Sequence, residues 1–176
     1  MPWICANGDP CGNDKSSVGA QITQLGTKSN GTRVFTDAAY ENYDISGGKV
    51  VLQKTAIEVV TDISNEGVVT WAMIFNTDIT EMRKCWANTA GFISSISSVI
   101  IDGSGGKHVN GINFDWEPNS MTMQGGKGYT TFLDKVATHM HTLGRKVSIC
   151  GQGPSGAALW DYRSLSTHTH THTHTH

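Results

Sequence analysis

The stretch His108–Asn119, HVNGINFDWEPN, decides how the chain is expected to fold. From Ile112 to Glu117 its residues alternate in character. The apolar set is Ile112, Phe114 and Trp116. The polar set is Asn113, Asp115 and Glu117. Because a β-strand points successive side chains to opposite faces, the apolar set would face a helix layer. The polar set would then lie on the other face, with Glu117 at the strand's C-terminal end, where α/β proteins carry their sites.

Strand and helix patterns alternate on both sides of this stretch. The spacing predicts strands over 68–75, 109–116 and 146–152, and helices over 79–102 and 129–143. Asp78 is expected to cap the first helix, with Glu81 three residues later, and Gly144 to end the second. Alternation of this kind is typical of βαβ units and a parallel sheet.

The first 67 residues carry weaker patterns. Strands are predicted over Pro2–Ala6 and Arg33–Ala38, and a helix over Val50–Asp62. The Gly, Asn and Ser residues around them indicate long loops.

Composition excludes several function classes. The chain has 176 residues, which suits one domain, and a formal net charge of −2 without a basic stripe. We therefore expect neither nucleic acid nor a membrane as the main partner. No run approaches the roughly 18 apolar residues of a membrane span. The N-terminus lacks a signal-peptide pattern, so the chain is either cytosolic or has lost its true start.

The four cysteines leave the compartment open. A disulfide between Cys5 and Cys11 across a turn-forming run is feasible, and four free thiols are the alternative. No cysteine and histidine spacing indicates a structural zinc. The sequon Asn30-Gly31-Thr32 weakly favours secretion.

Two carboxylates so close together predict a chemical role. In a poorly solvated place they do not both ionise freely, so one is expected to hold a proton. A protonated acid beside an ionised one suits glycoside cleavage, in which one donates to the leaving oxygen and the other stabilises positive charge. The alternative is a surface loop with solvated acids.

The residues Asn110–Glu117, NGINFDWE, resemble the DGxDxDxE signature of glycoside hydrolase family 18, the chitinases and their relatives. The resemblance implies a (β/α)8 barrel whose fourth strand carries the signature. It implies that Glu117 is the general acid and that Asp115 orients the substrate's 2-acetamido group, whose oxygen is the nucleophile. Asn113 and Gln152 are predicted to bind substrate. No cofactor is expected, and the expected partner is chitin or N-acetylglucosamine oligosaccharides.

Two positions depart from the signature. Asn110 and Asn113 stand where the family has Asp. Asn at the second place resembles the di-N-acetylchitobiase branch. The first place is structural in the family, so Asn110 is interpreted as a folding adjustment.

The chain is short for the barrel that the resemblance implies. Eight strands typically take about 250 residues, and 146–152 would be only the fifth strand. We therefore predict an α/β TIM-barrel-type fold truncated after about strand five, occupying residues 1–166. The resemblance also implies a tyrosine on strand six that hydrogen-bonds the reacting acetamido group, and no residue stands in that position. Trp160–Tyr162 is interpreted as a packing segment rather than a substitute for it. Open strand edges predict association or aggregation; dimerised half-barrels are the alternative to truncation.

A His/Thr repeat, residues 167–176, is predicted to be a tag or disordered. Its possible chelators are His168, His170, His172, His174 and His176; a metal-binding role is the alternative. The expected location is extracellular, or lysosomal within the secretory pathway. The alternative function is a non-catalytic chitin-oligosaccharide-binding protein or an inactive fragment. Oligomeric state stays open.

Overall fold

A computed structural model of the chain describes residues 1–6, 15–54, 56–117, 126–151 and 172–173. The strands within these residues are β1 (Trp3–Cys5), β2 (Lys28–Ser29), β3 (Thr32–Arg33), β4 (Asp37–Ser46), β5 (Lys49–Leu52), β6 (Val69–Asn76), β7 (Gly111–Trp116), β8 (Lys146–Gly151) and β9 (His172–Thr173). The helices are α1 (Lys15–Leu25), α2 (Val60–Asn65), α3 (Ile79–Ala87), α4 (Thr89–Ile96) and α5 (Gly126–Thr142). A π-helical turn (Ser97–Ile101) continues α4, and a 3-10 turn (Gly106–His108) precedes β7.

The main sheet has the strand order of an α/β barrel. Its order is β1-β4-β6-β7-β8-β9, and β5 pairs antiparallel with β4. Within the described residues, β1, β4, β6, β7 and β8 are neighbours in chain order, pair in parallel, and are separated by helices. The predicted TIM-barrel-type fold, with about five of the eight strands, is confirmed. The strand that carries the paired carboxylates is the fourth, as predicted.

A large core lies between the sheet and its helices. The predicted apolar set of β7 packs into it, and Ile112, Phe114 and Trp116 are all fully buried. Phe92 of α4 and Phe132 of α5 join Phe114 and Trp116 in an aromatic cluster with ring centroids 5.0 to 6.1 Å apart. This packing fixes the face of β7 that its polar residues occupy, because the two sets cannot exchange faces without a register shift.

The other face of the sheet has a second, smaller cluster. Ala39 of β4 and Trp71 and Met73 of β6 form it. These residues occupy the same face as Asn113, which pairs with Met73 in the register of β6 and β7. The inner face is therefore apolar near the beginning of the strands and polar towards their C-terminal ends.

The predicted helix over 79–102 is interrupted. Asp78 caps α3 as expected, accepting from the Thr80 N–H at 2.7 Å. Asn88 then leaves helical geometry, with φ −130° and ψ 59°, and its side chain accepts from the Gly91 N–H to begin α4. Apolar periodicity did not reveal this break, because both helices bury the same side against the sheet.

The helix predicted over 129–143 is confirmed as α5. Its buried residues are Tyr129, Phe132, Leu133, Val136, Ala137 and Met140. Gly144 ends it with φ 68°. The N–H of Arg145 donates to the Met140 carbonyl at 2.9 Å, and that of Gly144 to the His141 carbonyl at 3.0 Å. This is the Schellman arrangement that a terminal glycine predicts.

The predictions for the first 67 residues were partly wrong. The chain over Val50–Asp62 is not one helix, because its first residues belong to β5 and only Val60–Asn65 is helical. Gly47 and Gly48 have positive φ and turn the chain back, so β5 pairs with β4. The strand predicted over Arg33–Ala38 begins later, at Asp37, and continues to Ser46 as β4. Helix α1 occupies a region that was expected to be loop.

The cysteines divide into two kinds. Cys5 is disulfide-bonded, whereas Cys85 and Cys150 are free. The alternative of four free thiols was therefore wrong; Cys11 lies outside the described residues.

Several predicted residues also lie outside them. These are Gln152, Trp160–Tyr162 and the tail, apart from the His172–Thr173 backbone, which pairs with β8. Their predicted roles stay predictions, as does the division of the chain at residue 166.

Candidate active site

Asn110 fastens the beginning of β7 to its neighbours. Its Oδ1 accepts from the Thr70 N–H at 2.9 Å, and its own N–H donates to the Thr70 carbonyl at 2.8 Å. Its carbonyl accepts from the Lys146 N–H at 3.0 Å. The side chain thus acts as an acceptor that extends the strand pairing, a task for which an amide oxygen and a carboxylate oxygen are equivalent. This agrees with the structural role predicted for Asn110.

Gly111 is required by the ring of Trp71. A Cβ at position 111 would lie 2.5 Å from two ring carbons of Trp71 and 2.8 Å from the Lys146 carbonyl oxygen. The Trp71 ring is buried, and its Nε1 donates to Asp37 Oδ1 at 2.9 Å. The glycine of the motif is therefore needed so that the Trp71 ring can pack on the inner face of the sheet.

Asn113 lies at the centre of the inner face and is fully buried. Its Nδ2 donates to Ser148 Oγ at 2.8 Å, and its Oδ1 accepts from Cys150 Sγ at 3.4 Å. The amide is thus held by β8 on both sides. Asn113 also lines the pocket described next. Its contact with substrate stays a prediction.

A concave pocket of about 150 Å³ opens on the inner face. Its lining residues are Met1, Trp3, Ala39, Met73, Asn113, Asp115 and Cys150. One end is apolar, and the other combines a carboxylate, an amide and a thiol. The structure therefore brings Asp115 and Asn113 together in one pocket, as the strand periodicity predicted.

Glu117 follows β7 directly and is half-buried. Its N–H donates to the Asn76 carbonyl at 2.9 Å, so the strand pairing continues past Trp116. Its side chain is not one of the residues lining the pocket. Asp115 and Glu117 thus stand on the same face of one strand, with Asp115 inside the pocket and Glu117 one step nearer the C-terminal end.

Asn76 ties three strand ends together and was missed by the sequence reasoning. Its Nδ2 donates to Asp44 Oδ1 of β4 at 2.7 Å, and its Oδ1 accepts from the Asp78 N–H at 2.7 Å. Its carbonyl holds Glu117. The sequence signal that could have identified Asn76 is its position as a polar residue at the end of an apolar strand.

Cys150 is a second residue that was missed. It stands on β8 one position beyond the pair Phe114 and Ile149, and therefore beside Asp115. Burial, and then the negative charge of Asp115, raise the pKa of its thiol to about 12. The alternation of Ser148 and Cys150 with apolar residues in KVSIC was the signal that could have indicated an inward polar pair.

Among the described residues, no three His, Cys, Asp or Glu side chains come together as metal ligands. The helices in the described part of the chain include none that is both long and apolar enough to cross a bilayer.

The strand order and the acidic residues at a strand end define the class: an α/β protein of the TIM-barrel type with its candidate site at the C-terminal ends of parallel strands. No family model matches the chain, and no curated protein is similar to it in sequence. Solved structures are similar to the chain in fold.

Three of these structures are informative. A chitinase from Chromobacterium violaceum ATCC 12472 is 14% identical, with a TM-score of 0.70 over 98% of this chain and 55% of that one. The spore cortex-lytic enzyme SleL of Bacillus megaterium QM B1551 is 10% identical, with a TM-score of 0.77 over 98% of this chain and 40% of that one. The Ostrinia furnacalis Group IV chitinase in complex with allosamidin is 14% identical, with a TM-score of 0.63 over 78% and 42%.

At these identities the likeness shows the fold alone. The chain spans about half the length of the chitinase from Chromobacterium violaceum and less of the other two. This agrees with a sheet in which β1, β4, β6, β7 and β8 supply the parallel strands that alternate with helices within the described residues.

Proposed function

We propose that the chain carries the acid-bearing part of a glycoside hydrolase of family 18, of chitinase or di-N-acetylchitobiase type, that cleaves β-1,4-N-acetylglucosamine linkages. One observation carries the proposal. Asp115 and Glu117 share the inner face at the end of the fourth parallel strand, and Asp115 lines a pocket there. The fold shared with chitinases and a spore cortex-lytic enzyme supports it.

The proposed roles follow from the positions of the two acids. Glu117, nearer the strand end, donates a proton to the leaving glycosidic oxygen and then takes one from water. Asp115, deeper in the pocket, holds the N–H of the 2-acetamido group and stabilises the positive charge that develops on it. The acetamido oxygen itself attacks the anomeric carbon, so that configuration is retained and neither carboxylate forms a bond to the sugar.

The pocket suits the acetamido group. Asp115 supplies a hydrogen-bond acceptor, and Ala39 and Met73 line an apolar side. An N-acetyl group combines an N–H donor with an apolar methyl, and specific pockets combine apolar walls with few polar groups.

Hydrolysis of a chromogenic chitobioside tests the proposal, measured with this chain and with a longer product of the same reading frame. We expect Glu117→Gln to lower kcat by at least about a hundredfold, because the general acid is lost. We expect Asp115→Asn to lower it comparably. Asp102→Asn is the matched control, since it removes an exposed carboxylate before β7. Equal rates for wild type and Glu117→Gln would exclude this mechanism.

A non-catalytic sugar-binding protein is the second candidate. The observation in its favour is that the chain spans about half the length of a chitinase with the same fold. Calorimetry with chitotetraose and with allosamidin, the compound bound to the Ostrinia furnacalis chitinase, separates the candidates. Binding without turnover favours this reading.

We also propose that the chain is the N-terminal part of a longer barrel. β1 pairs only with β4 among the described strands, so one edge of its sheet is open. A natural reading frame that continues past Ser166 with further strand and helix patterns, in place of the His/Thr repeat, would support this. A natural stop codon in place of the repeat would favour a free-standing half.

We propose an extracellular or secretory location. The disulfide at Cys5 supports it, because such bonds persist in oxidising compartments. Asn30 and Thr32 of the sequon are exposed, and Asn30 and Gly31, both with positive φ, form the turn between β2 and β3. Expression through a eukaryotic secretory pathway should give a glycosidase-sensitive mass increase that Asn30→Gln abolishes. An unmodified secreted product would argue against use of the sequon.

A further inference from the structure

Cys150 lies at the junction of the two strands that build the pocket. Its side chain shares the inner face of β8 with Ser148 and lines the pocket together with Asp115. Its Sγ donates to Asn113 Oδ1 at 3.4 Å. The thiol is therefore hydrogen-bonded to Asn113 and lines the same pocket as Asp115.

The contact with Asn113 fixes the direction of a buried amide. Ser148 Oγ accepts from Nδ2 at 2.8 Å, so the other amide atom, Oδ1, faces the thiol. An amide oxygen needs a donor, and Cys150 supplies it. If the thiol were replaced by a methyl group, Oδ1 would lose this partner in a fully buried position.

The contact with Asp115 fixes the charge of the thiol. Burial and the neighbouring carboxylate hold the thiol pKa at about 12, and Glu117 adds to the effect. Tyr129 of α5 is the titratable group on the helix side, and His172 of β9 is the residue whose backbone pairs with Cys150. The thiol therefore stays protonated at neutral pH and acts as a neutral donor beside an acid.

We infer that Cys150 is a positioning residue of this site: its thiol, which lies beside Asp115, donates to Asn113 Oδ1 and holds the amide in the orientation in which it faces the pocket. The role in catalysis rests on the proposed hydrolase function. The contact between the thiol and the carboxylate does not, and it is tested separately.

The first test is a titration of the thiols in the whole chain. The rate of iodoacetamide alkylation of Cys150 is measured against pH by mass spectrometry, with Cys85, the other free thiol, quantified in the same digests. Asp115→Asn removes the neighbouring charge, so the Cys150 pKa falls and alkylation below pH 9 accelerates, by roughly tenfold for each unit of pKa. The Cys85 rate, whose pKa reflects burial and Glu81, stays constant.

A control variant sharpens this test. Asp102→Asn should leave the Cys150 rate unchanged, because that carboxylate is exposed and precedes the strand. An unaltered Cys150 rate in Asp115→Asn, or an equal acceleration in Asp102→Asn, would overturn the assignment. This outcome does not depend on whether the protein hydrolyses a glycan.

The second test uses activity on the chitobioside. Cys150→Ser keeps a donor, whereas Cys150→Ala removes it. Without the donor, Asn113 Oδ1 loses its partner, so the amide is no longer held facing the pocket. We expect KM to rise by roughly tenfold in Cys150→Ala, with a smaller change in kcat, and the wild-type KM to be kept in Cys150→Ser. A loss of kcat in both variants with an unchanged KM would mean a packing role and overturn the inference.

Discussion

The substitution Gly111→Ala tests whether the inner face has the packing described. The added Cβ would lie 2.5 Å from Cε3 and Cζ3 of Trp71, whereas carbon atoms normally approach to about 3.5–4.0 Å. The ring must therefore move by about 1 Å. The Lys146 carbonyl oxygen, 2.8 Å away, belongs to a paired strand and cannot withdraw on its own.

The magnitude follows from two costs. Overpacking a filled site costs about 1–3 kcal/mol. Moving the ring also strains the hydrogen bond from Trp71 Nε1 to Asp37, which is worth about 0.5–1.5 kcal/mol. We expect Gly111→Ala to lower the free energy of unfolding by about 2–4 kcal/mol in urea denaturation followed by circular dichroism.

A double-mutant cycle identifies the clash. Trp71→Leu removes the ring, so Gly111→Ala should cost at least about 1 kcal/mol less in that background. Gly19→Ala is the matched control: its Cβ would meet nothing within 4 Å, and alanine in the middle of α1 should be neutral or stabilising. A loss below about 0.5 kcal/mol for Gly111→Ala, or additive effects in the cycle, would refute the reasoning.

Three further predictions concern the strand start, a helix cap and the open sheet edge. Asn110→Asp keeps an acceptor for the Thr70 N–H and should be nearly neutral, whereas Asn110→Leu should lose about 1–3 kcal/mol of unfolding free energy in urea; equal losses would contradict the structural role. Asp78→Ala should lose about 1 kcal/mol by the same measurement and Asp78→Asn much less, because only the latter caps α3; equal stabilities would argue against the cap. Trp3→Ser should reduce concentration-dependent association in light scattering, since Trp3 is 51% exposed on an edge strand, and Leu52→Ser, at a 57% exposed side chain of β5, is the comparison; unchanged association in Trp3→Ser would place the contact elsewhere.

Local patterns predicted those parts of the fold whose signals are complete within one element. The alternation over 112–117 separated the buried apolar face from the face on which Asn113 and Asp115 line the pocket. The long apolar period of α5 with Gly144 after it gave both the helix and its end. Elements whose structure depends on a second element were not predicted. The residues of β5 do not by themselves distinguish a strand from a helix, and β5 is a strand because it pairs with β4.

The sequence by itself determined the alternation of strands and helices from β6 to β8, the face of β7 that carries Asp115, and the resemblance from which the roles of Asp115 and Glu117 are proposed. These are consequences of side-chain direction and apolar spacing, which operate over a few residues. Only the tertiary structure decided that Trp71 requires Gly111, that Asn76 holds Glu117, and that Cys150 stands beside Asp115. Each of these contacts joins residues 35 to 41 positions apart in the printed sequence, and strand pairing, which no single segment encodes, brings them together.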